Sequence, residues 1–194
     1  MNKIIRIGNQ EISRIGYGTL YIPVERGFGP PRSNAVDLLK EARNLGINFF
    51  DTADSYGDGS AENAIKEALY PYKNIMIASK GGYRHERLGA WISDARPERL
   101  KSCLEGSLRR LGLETVELYQ LHCPDSRVPY ADAIGALAEM QQEGKIRHIG
   151  ISNVNLDQIE TAMSIVDIVS VQNAYNIVYQ GHADILNYCS SKDI

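Results

Sequence analysis

Apolar positions along the chain fall into short runs that alternate with longer stretches of helical spacing. At the start, Ile5 and Ile7 precede Gly8-Asn9, and Ile12 and Ile15 follow. Two such segments about a Gly-Asn turn predict a β-hairpin. Six apolar runs come next, each closing on polar residues. They occupy residues 15–19 (ending at Thr19), 47–50 (closing on Asp51), 75–78 (Ser79-Lys80), 116–121 (His122), 149–151 (Ser152-Asn153) and 168–171 (Gln172-Asn173). Helical spacing fills the intervals. Ser33 is placed to cap a helix that runs through Leu45 and stops at Gly46, and Ser60 to cap one that carries Ala64, Ile65, Ala68 and Leu69. Pro97 suits the first turn of a helix reaching Leu111. Residues 130–143, 156–165 and 182–191 supply three more.

Strand–helix alternation with runs apolar on both faces predicts a parallel sheet under helices, joined by right-handed crossovers. A doubly wound open sheet would place a glycine-rich phosphate loop after its first strand. Here Gly16 and Gly18 form G-x-G, but the third glycine is misplaced and no helix opens at once. Polar residues gather instead at strand ends, as in a (β/α)₈ barrel, where the chemistry sits at the C-terminal mouth. The expected fold class is therefore α/β, a (β/α)₈ TIM-barrel type that is incomplete, with six βα units and an N-terminal β-hairpin. No Pro- or Gly-rich linker divides the chain, so residues 1–194 are expected to form a single domain.

Composition narrows the function classes. Hydrophobic residues make up 43% and charged residues 23%, which excludes wholesale disorder. A formal net charge of −3 offers no basic footprint for nucleic acid or an anionic membrane. No apolar run approaches the roughly 20 residues of a membrane span, and the N-terminus lacks a secretory h-region. Cys103, Cys123 and Cys189 are spaced for neither C-x-x-C nor a zinc site. They read as reduced thiols of a cytoplasmic protein with no metal centre.

The candidate chemistry lies at the ends of the second, third and fourth strands: Asp51, Tyr56, Lys80 and His122. Each alone has an ordinary structural explanation, as a loop cap, a turn aromatic, a rim charge or a satisfied core histidine. Together they would be costly to bury unless they pair with one another. Paired, they form a proton-relay site. Lysine beside a tyrosine hydroxyl favours the phenolate and lowers the tyrosine pKa, aspartate orients the lysine, and histidine orients a carbonyl oxygen. Such a set protonates an oxygen but supplies no hydride, so a redox reaction would need a cofactor. Ser152, Asn153 and Gln172 suit an amide ligand, since they offer both donors and acceptors.

The segments GINFFDTADSYGDGSAENAIKEAL, ASKGG, LYQLHCPD, EGKIRHIGISNVN and VQNAYN, in this order from Gly16 onward, resemble the aldo-keto reductase superfamily. The resemblance implies that Asp51, Tyr56, Lys80 and His122 match the catalytic tetrad, with Tyr56 as proton donor and Lys80 tuning it. It implies that Ser152, Asn153 and Gln172 hold a nicotinamide carboxamide and that Gly18-Thr19 approach the cofactor. It also implies that the hairpin plugs the barrel bottom. The implied reaction is hydride transfer from NADPH to a small aldehyde or ketone. An alternative on the same scaffold is a non-catalytic nucleotide-sensing subunit.

A full eight-unit barrel of this type takes about 250 residues, and this chain ends after the sixth helix. The expectation is a truncated product of a longer reductase, lacking strands seven and eight with their stacking aromatic and phosphate contacts, and possessing a complete tetrad but an incomplete cofactor site. An inactive fragment is the other reading of that truncation. Trp91 is read as a loop aromatic packed on the barrel rim, with lining of a substrate pocket as the alternative, and Arg109-Arg110 as a solvated helix face.

Overall fold

The structure, a computed structural model, describes residues 3–22, 32–85 and 90–194. Strands β1 (Ile4–Ile7) and β2 (Gln10–Ser13) pair antiparallel, with Ile4 opposite Ser13. Gly8 turns this hairpin at φ +56°, and a Cβ there would lie 2.5 Å from the His148 imidazole. Only glycine satisfies both demands.

In chain order there follow β3 (Tyr17–Gly18), α1 (Arg32–Asn44), β4 (Phe49–Asp51), α2 (Ser60–Leu69) and β5 (Met76–Gly81). A second hairpin comes next, β6 (Tyr83–His85) with β7 (Trp91–Ser93). The remainder is α3 (Pro97–Leu111), β8 (Val116–Leu121), α4 (Tyr130–Gln142), β9 (Ile146–Ser152), α5 (Leu156–Ile165), β10 (Ile168–Gln172) and α6 (Ala183–Ser191). Strands β3, β4, β5, β8, β9 and β10 form one sheet in that order, every pairing parallel. Six βα units thus build an incomplete (β/α)₈-type barrel.

Alternation along the strands sorts side chains between two cores. Met76, Ala78 and Leu118 point into the barrel, where Ile12 of the hairpin packs against them. Phe50 and Ile77 point outward beneath Ala35, Leu39 and Ile65 of α1 and α2. Tyr119, Leu121, Ile149 and Ile151 do so beneath α3, α4 and α5. Asn48 fastens the hairpin to the barrel bottom: its side-chain carbonyl accepts from Ser13 N at 2.6 Å, and its amide donates to Glu11 O at 3.2 Å.

Several local expectations change. The first strand is two residues long, not five, and the β6–β7 hairpin was not anticipated. Ser33 and Ser60 lie inside their helices instead of capping them. The residue before α2 is Gly59 at φ +88°, where a Cβ would lie 2.3 Å from Arg110 Nε. Pro97 does open α3, and Gly112 ends it at φ +72°. Among the described residues no helix is long and apolar enough to cross a membrane.

Candidate active site

Asp51 is the last residue of β4, and Lys80 lies on β5 with its side chain on the inner face. The Lys80 ammonium is completely buried. It donates to Asp51 Oδ2 at 2.6 Å, to Thr52 O at 3.0 Å and to the Tyr56 hydroxyl at 3.4 Å. A buried lysine keeps its place only with such partners. Burial lowers its pKa, and Asp51 pulls in the opposite direction. Tyr56 is carried by the β4–α2 connection, which is tied down by Thr52 N to Ala78 O, Asp54 N to Lys80 O and Tyr56 N to Ala53 O. His122 follows β8, its backbone N–H donating to Gly81 O at 2.8 Å, and its ring stands edge-on to Tyr56 with centroids 5.7 Å apart.

The electrostatics differ from the sequence-based picture in two ways. The Tyr56 phenol is raised above its ordinary pKa, not lowered, by burial first and by the Asp51 carboxylate second. His122 is pushed down to about 3 by burial and by the Lys80 charge. It is a neutral imidazole at physiological pH. Its Nδ1 is buried and has no hydrogen-bond partner.

The residues expected to hold a nicotinamide end lie beside this group. Gln172 donates to Asp51 Oδ1 at 3.2 Å, and the Ser152 hydroxyl donates to Gln172 O at 2.8 Å. Asn153, at φ +58°, donates to His122 O at 2.9 Å and to Ser152 Oγ at 3.1 Å. Neither Ser152 nor Asn153 caps α5. Asn155 does, in a reciprocal capping box with Gln158. Thr19 is fully buried, both its N–H and its hydroxyl donating to Asp51 O. Gly18 is exposed, with no atom within 4 Å of where a Cβ would stand. These five positions offer side-chain amides, a hydroxyl and an open stretch of backbone next to Asp51. Such a donor set fits the carboxamide end of a nicotinamide.

Two side chains near the tetrad were missed or misread. Of the two positions open to Trp91, the ring contacts favour the pocket side over the rim. Trp91 lies on β7, edge-on to Tyr56 and to His122, with centroids 6.2 Å away in each case. Tyr83 on β6 stands 5.5 Å from Trp91 and 4.6 Å from His122. The second hairpin therefore contributes an aromatic wall beside the tetrad. Its only sequence trace is the pair of aromatics flanking residues 84–90. Arg110 is likewise not on a solvated face, since it donates to the buried Glu62 at 2.6 Å. Among the described residues no three His, Cys, Asp or Glu side chains gather as metal ligands.

A parallel (β/α) sheet with a buried Asp-Lys pair touching a tyrosine at its C-terminal mouth defines the class of scaffold to which the chain is to be compared. The profile of the aldo/keto reductase family matches residues 14–194, and the chain belongs to that family. It is 38% identical to pyridoxine 4-dehydrogenase of Escherichia coli over 183 residues, which cover 90% of this chain and 64% of that one. The glycerol dehydrogenase of Gluconobacter oxydans superposes with a TM-score of 0.90 at 32% identity, covering 97% of this chain and 60% of that one. The aldo/keto reductase of Klebsiella pneumoniae, solved in complex with NADP and acetate, gives 0.84 at 26% identity, covering 100% and 66%. The chain thus spans about two thirds or less of the length of these relatives.

Proposed function

We propose that the protein is an NADPH-dependent carbonyl reductase that converts small aldehydes or ketones to alcohols. In this reading residues 1–194 form one domain of the aldo/keto reductase type, and the remaining βα units of the barrel complete the cofactor site. The observation that carries the reading is the Lys80 ammonium, held 2.6 Å from Asp51 and 3.4 Å from the Tyr56 hydroxyl. The NADP bound by the Klebsiella relative supports the choice of cofactor.

The reduced nicotinamide, when bound, supplies the hydride. Ser152, Asn153 and Gln172 hold its carboxamide, and Gly18 and Thr19 form the adjacent backbone. Tyr56 is protonated at neutral pH, as any phenol of ordinary pKa is, and burial raises its pKa further. It gives its proton to the carbonyl oxygen as negative charge develops there. The resulting phenolate faces the Lys80 ammonium, which stabilises it, and Asp51 keeps that ammonium oriented. His122, neutral at physiological pH, directs the carbonyl by a hydrogen bond.

The test is carbonyl-dependent oxidation of NADPH by the full-length protein. Tyr56→Phe keeps the ring and removes the proton, so turnover should fall about 10²–10⁴-fold. NADPH affinity should be retained, since the hydroxyl acts mainly in the transition state. Parent-like turnover in this variant would remove Tyr56 from the role. NADPH binding by the unaltered protein without turnover of any carbonyl would favour the nucleotide-sensing reading.

A further inference from the structure

The hairpin that carries the aromatic wall stands outside the main sheet, because β6 and β7 form a two-stranded sheet of their own. Two strands of three residues are marginal in water by themselves. What holds Tyr83 and Trp91 against His122 therefore has to come from outside the hairpin. Asp94 N donates to Gly82 O at 2.8 Å, which ties the hairpin's two ends to each other.

The tie to the mouth comes from the β8–α4 connection, residues 122–129, which starts at His122 itself. Asp125 of that connection is buried, and its Oδ2 accepts from Ala95 N at 3.3 Å. The Arg127 guanidinium grips the same carboxylate, Nε on Oδ1 at 2.9 Å and Nη2 on Oδ2 at 2.9 Å. Nη2 also donates to Ser93 O, the last carbonyl of β7. Arg127 N donates to Asp125 Oδ1 at 3.0 Å, which fixes the turn the side chain reaches from. A planar guanidinium, with five N–H donors in fixed directions, can hold a carboxylate and a carbonyl at once. It keeps the Asp125 carboxyl down at about 2, so both halves of the clasp are charged at any working pH. Ser93 lies two residues beyond Trp91, roughly 7 Å along an extended strand. Where Ser93 O is held, the Trp91 ring is aimed. Arg96, by contrast, holds Asp94 at 2.8 and 3.0 Å in a pair that stays within the entry to α3.

We propose that Arg127 is a positioning residue that sets the selectivity of the mouth. By clasping the end of β7 to the connection that begins at His122, it holds the Trp91 ring beside Tyr56 and favours carbonyls that bear a planar aromatic substituent. The substrate half of this proposal rests on the reductase reading. A carbonyl that takes the Tyr56 proton carries its substituents next to Trp91, whose ring centroid is 6.2 Å from that of Tyr56. An aromatic substituent gains from a neighbouring ring most when that ring is already held in place, because no ordering cost is then left to meet on binding.

Trp91 is the sole tryptophan of the chain. The intrinsic fluorescence of the 194-residue protein therefore follows this ring alone and needs no turnover. Arg127→Met should move the emission to longer wavelength and about double the amplitude of the nanosecond component of its anisotropy decay. Arg96→Met removes the same charge from the same corner of the molecule and should leave both readings at parent values. In the full-length protein, Arg127→Met should raise KM for benzaldehyde about threefold or more, the size of one aromatic contact. Its kcat should be kept and its KM for propanal unchanged, the pattern of lost ground-state binding. Arg127→Lys keeps the charge without the fork. It should shift every reading the same way by less, and it carries the test should Arg127→Met not fold. Parent-like Trp91 fluorescence in Arg127→Met, an equal change in Arg96→Met, or equal rises in KM for the two aldehydes would each overturn the proposal. A parent that reduces neither aldehyde sinks the reductase reading instead, and the fluorescence still decides whether Arg127 positions Trp91.

Discussion

Ser79 and Lys80 are neighbours on β5, yet they serve two buried ionic clusters on opposite faces of the sheet. Lys80 points to the barrel mouth and meets Asp51 at 2.6 Å. Ser79 points to the helices and donates to Glu62 at 2.6 Å, which in turn receives Arg110 at 2.6 Å. The mouth cluster holds a tyrosine and a histidine whose rings meet edge to face. The helix-side cluster joins α2, α3 and β5, and Gly59 and Gly106 leave room for the arginine that closes it. Both bury charge, but only the first opens onto groups that can hold a cofactor and a substrate. Ionic partnership in the core is therefore not evidence of chemistry by itself, and the surroundings decide.

The comparison breaks most visibly at Glu62. Glu62→Ala leaves the Ser79 hydroxyl and the Arg110 guanidinium without their anion, a loss of about 3–4 kcal/mol for an ion pair broken from one side. Urea denaturation of the variant measures it. A loss below about 1 kcal/mol, in the range of a surface pair, would show that the helix-side cluster does not brace the sheet.

Acid titration of stability separates the clusters by sign. His122 has a pKa of about 3 when folded against an ordinary 6.5. The unfolded chain therefore binds more protons between those values, and stability falls as pH falls through that window. From pH 7 to pH 4 this amounts to about 3 kcal/mol. Asp54 has a pKa of about 6 when folded against an ordinary 3.8. Its contribution runs the other way: it is present below about 4 and is lost as pH rises through 6, about 2 kcal/mol over the same span. His122→Asn should thus gain stability over the parent on acidification, and Asp54→Asn should lose it. Parallel denaturation series at pH 4 and pH 7 check both, and variants drifting in the same direction would refute the assignment.

The smallest effect is expected at Trp91, which borders the mouth but is 41% exposed. Edge-to-face aromatic pairs contribute about 0.5–1.5 kcal/mol, so Trp91→Ala should cost folding about 1 kcal/mol. In carbonyl reduction KM should rise a few-fold with kcat kept, the pattern of lost uniform binding. A fall in kcat with KM unchanged would instead assign the ring to the transition state.

The two clusters were unequally legible in the sequence. Asp51, Lys80, His122, Ser152 and Gln172 each close an apolar run, because buried parallel strands must be apolar until they reach the mouth. Glu62 and Arg110 sit within amphipathic helices, where charged residues ordinarily face water, and nothing local marks them as partners 48 positions apart. The β6–β7 hairpin escaped for a different reason: three-residue strands are too short for alternation to stand out. Protonation states were the least legible. The Tyr56 shift has the opposite sign from the one expected, because burial is its largest cause and depth is not written in residue order.

The seclusion of Lys80 has a practical side. Its side chain is fully shielded, whereas every other lysine of the chain reaches solvent at least in part. An amine-acylating reagent added to the native protein therefore labels a surface population promptly and reaches this ammonium only when the barrel opens. Mass spectrometry of one tryptic peptide turns the residue at the heart of the site into a clock for how often the structure breathes.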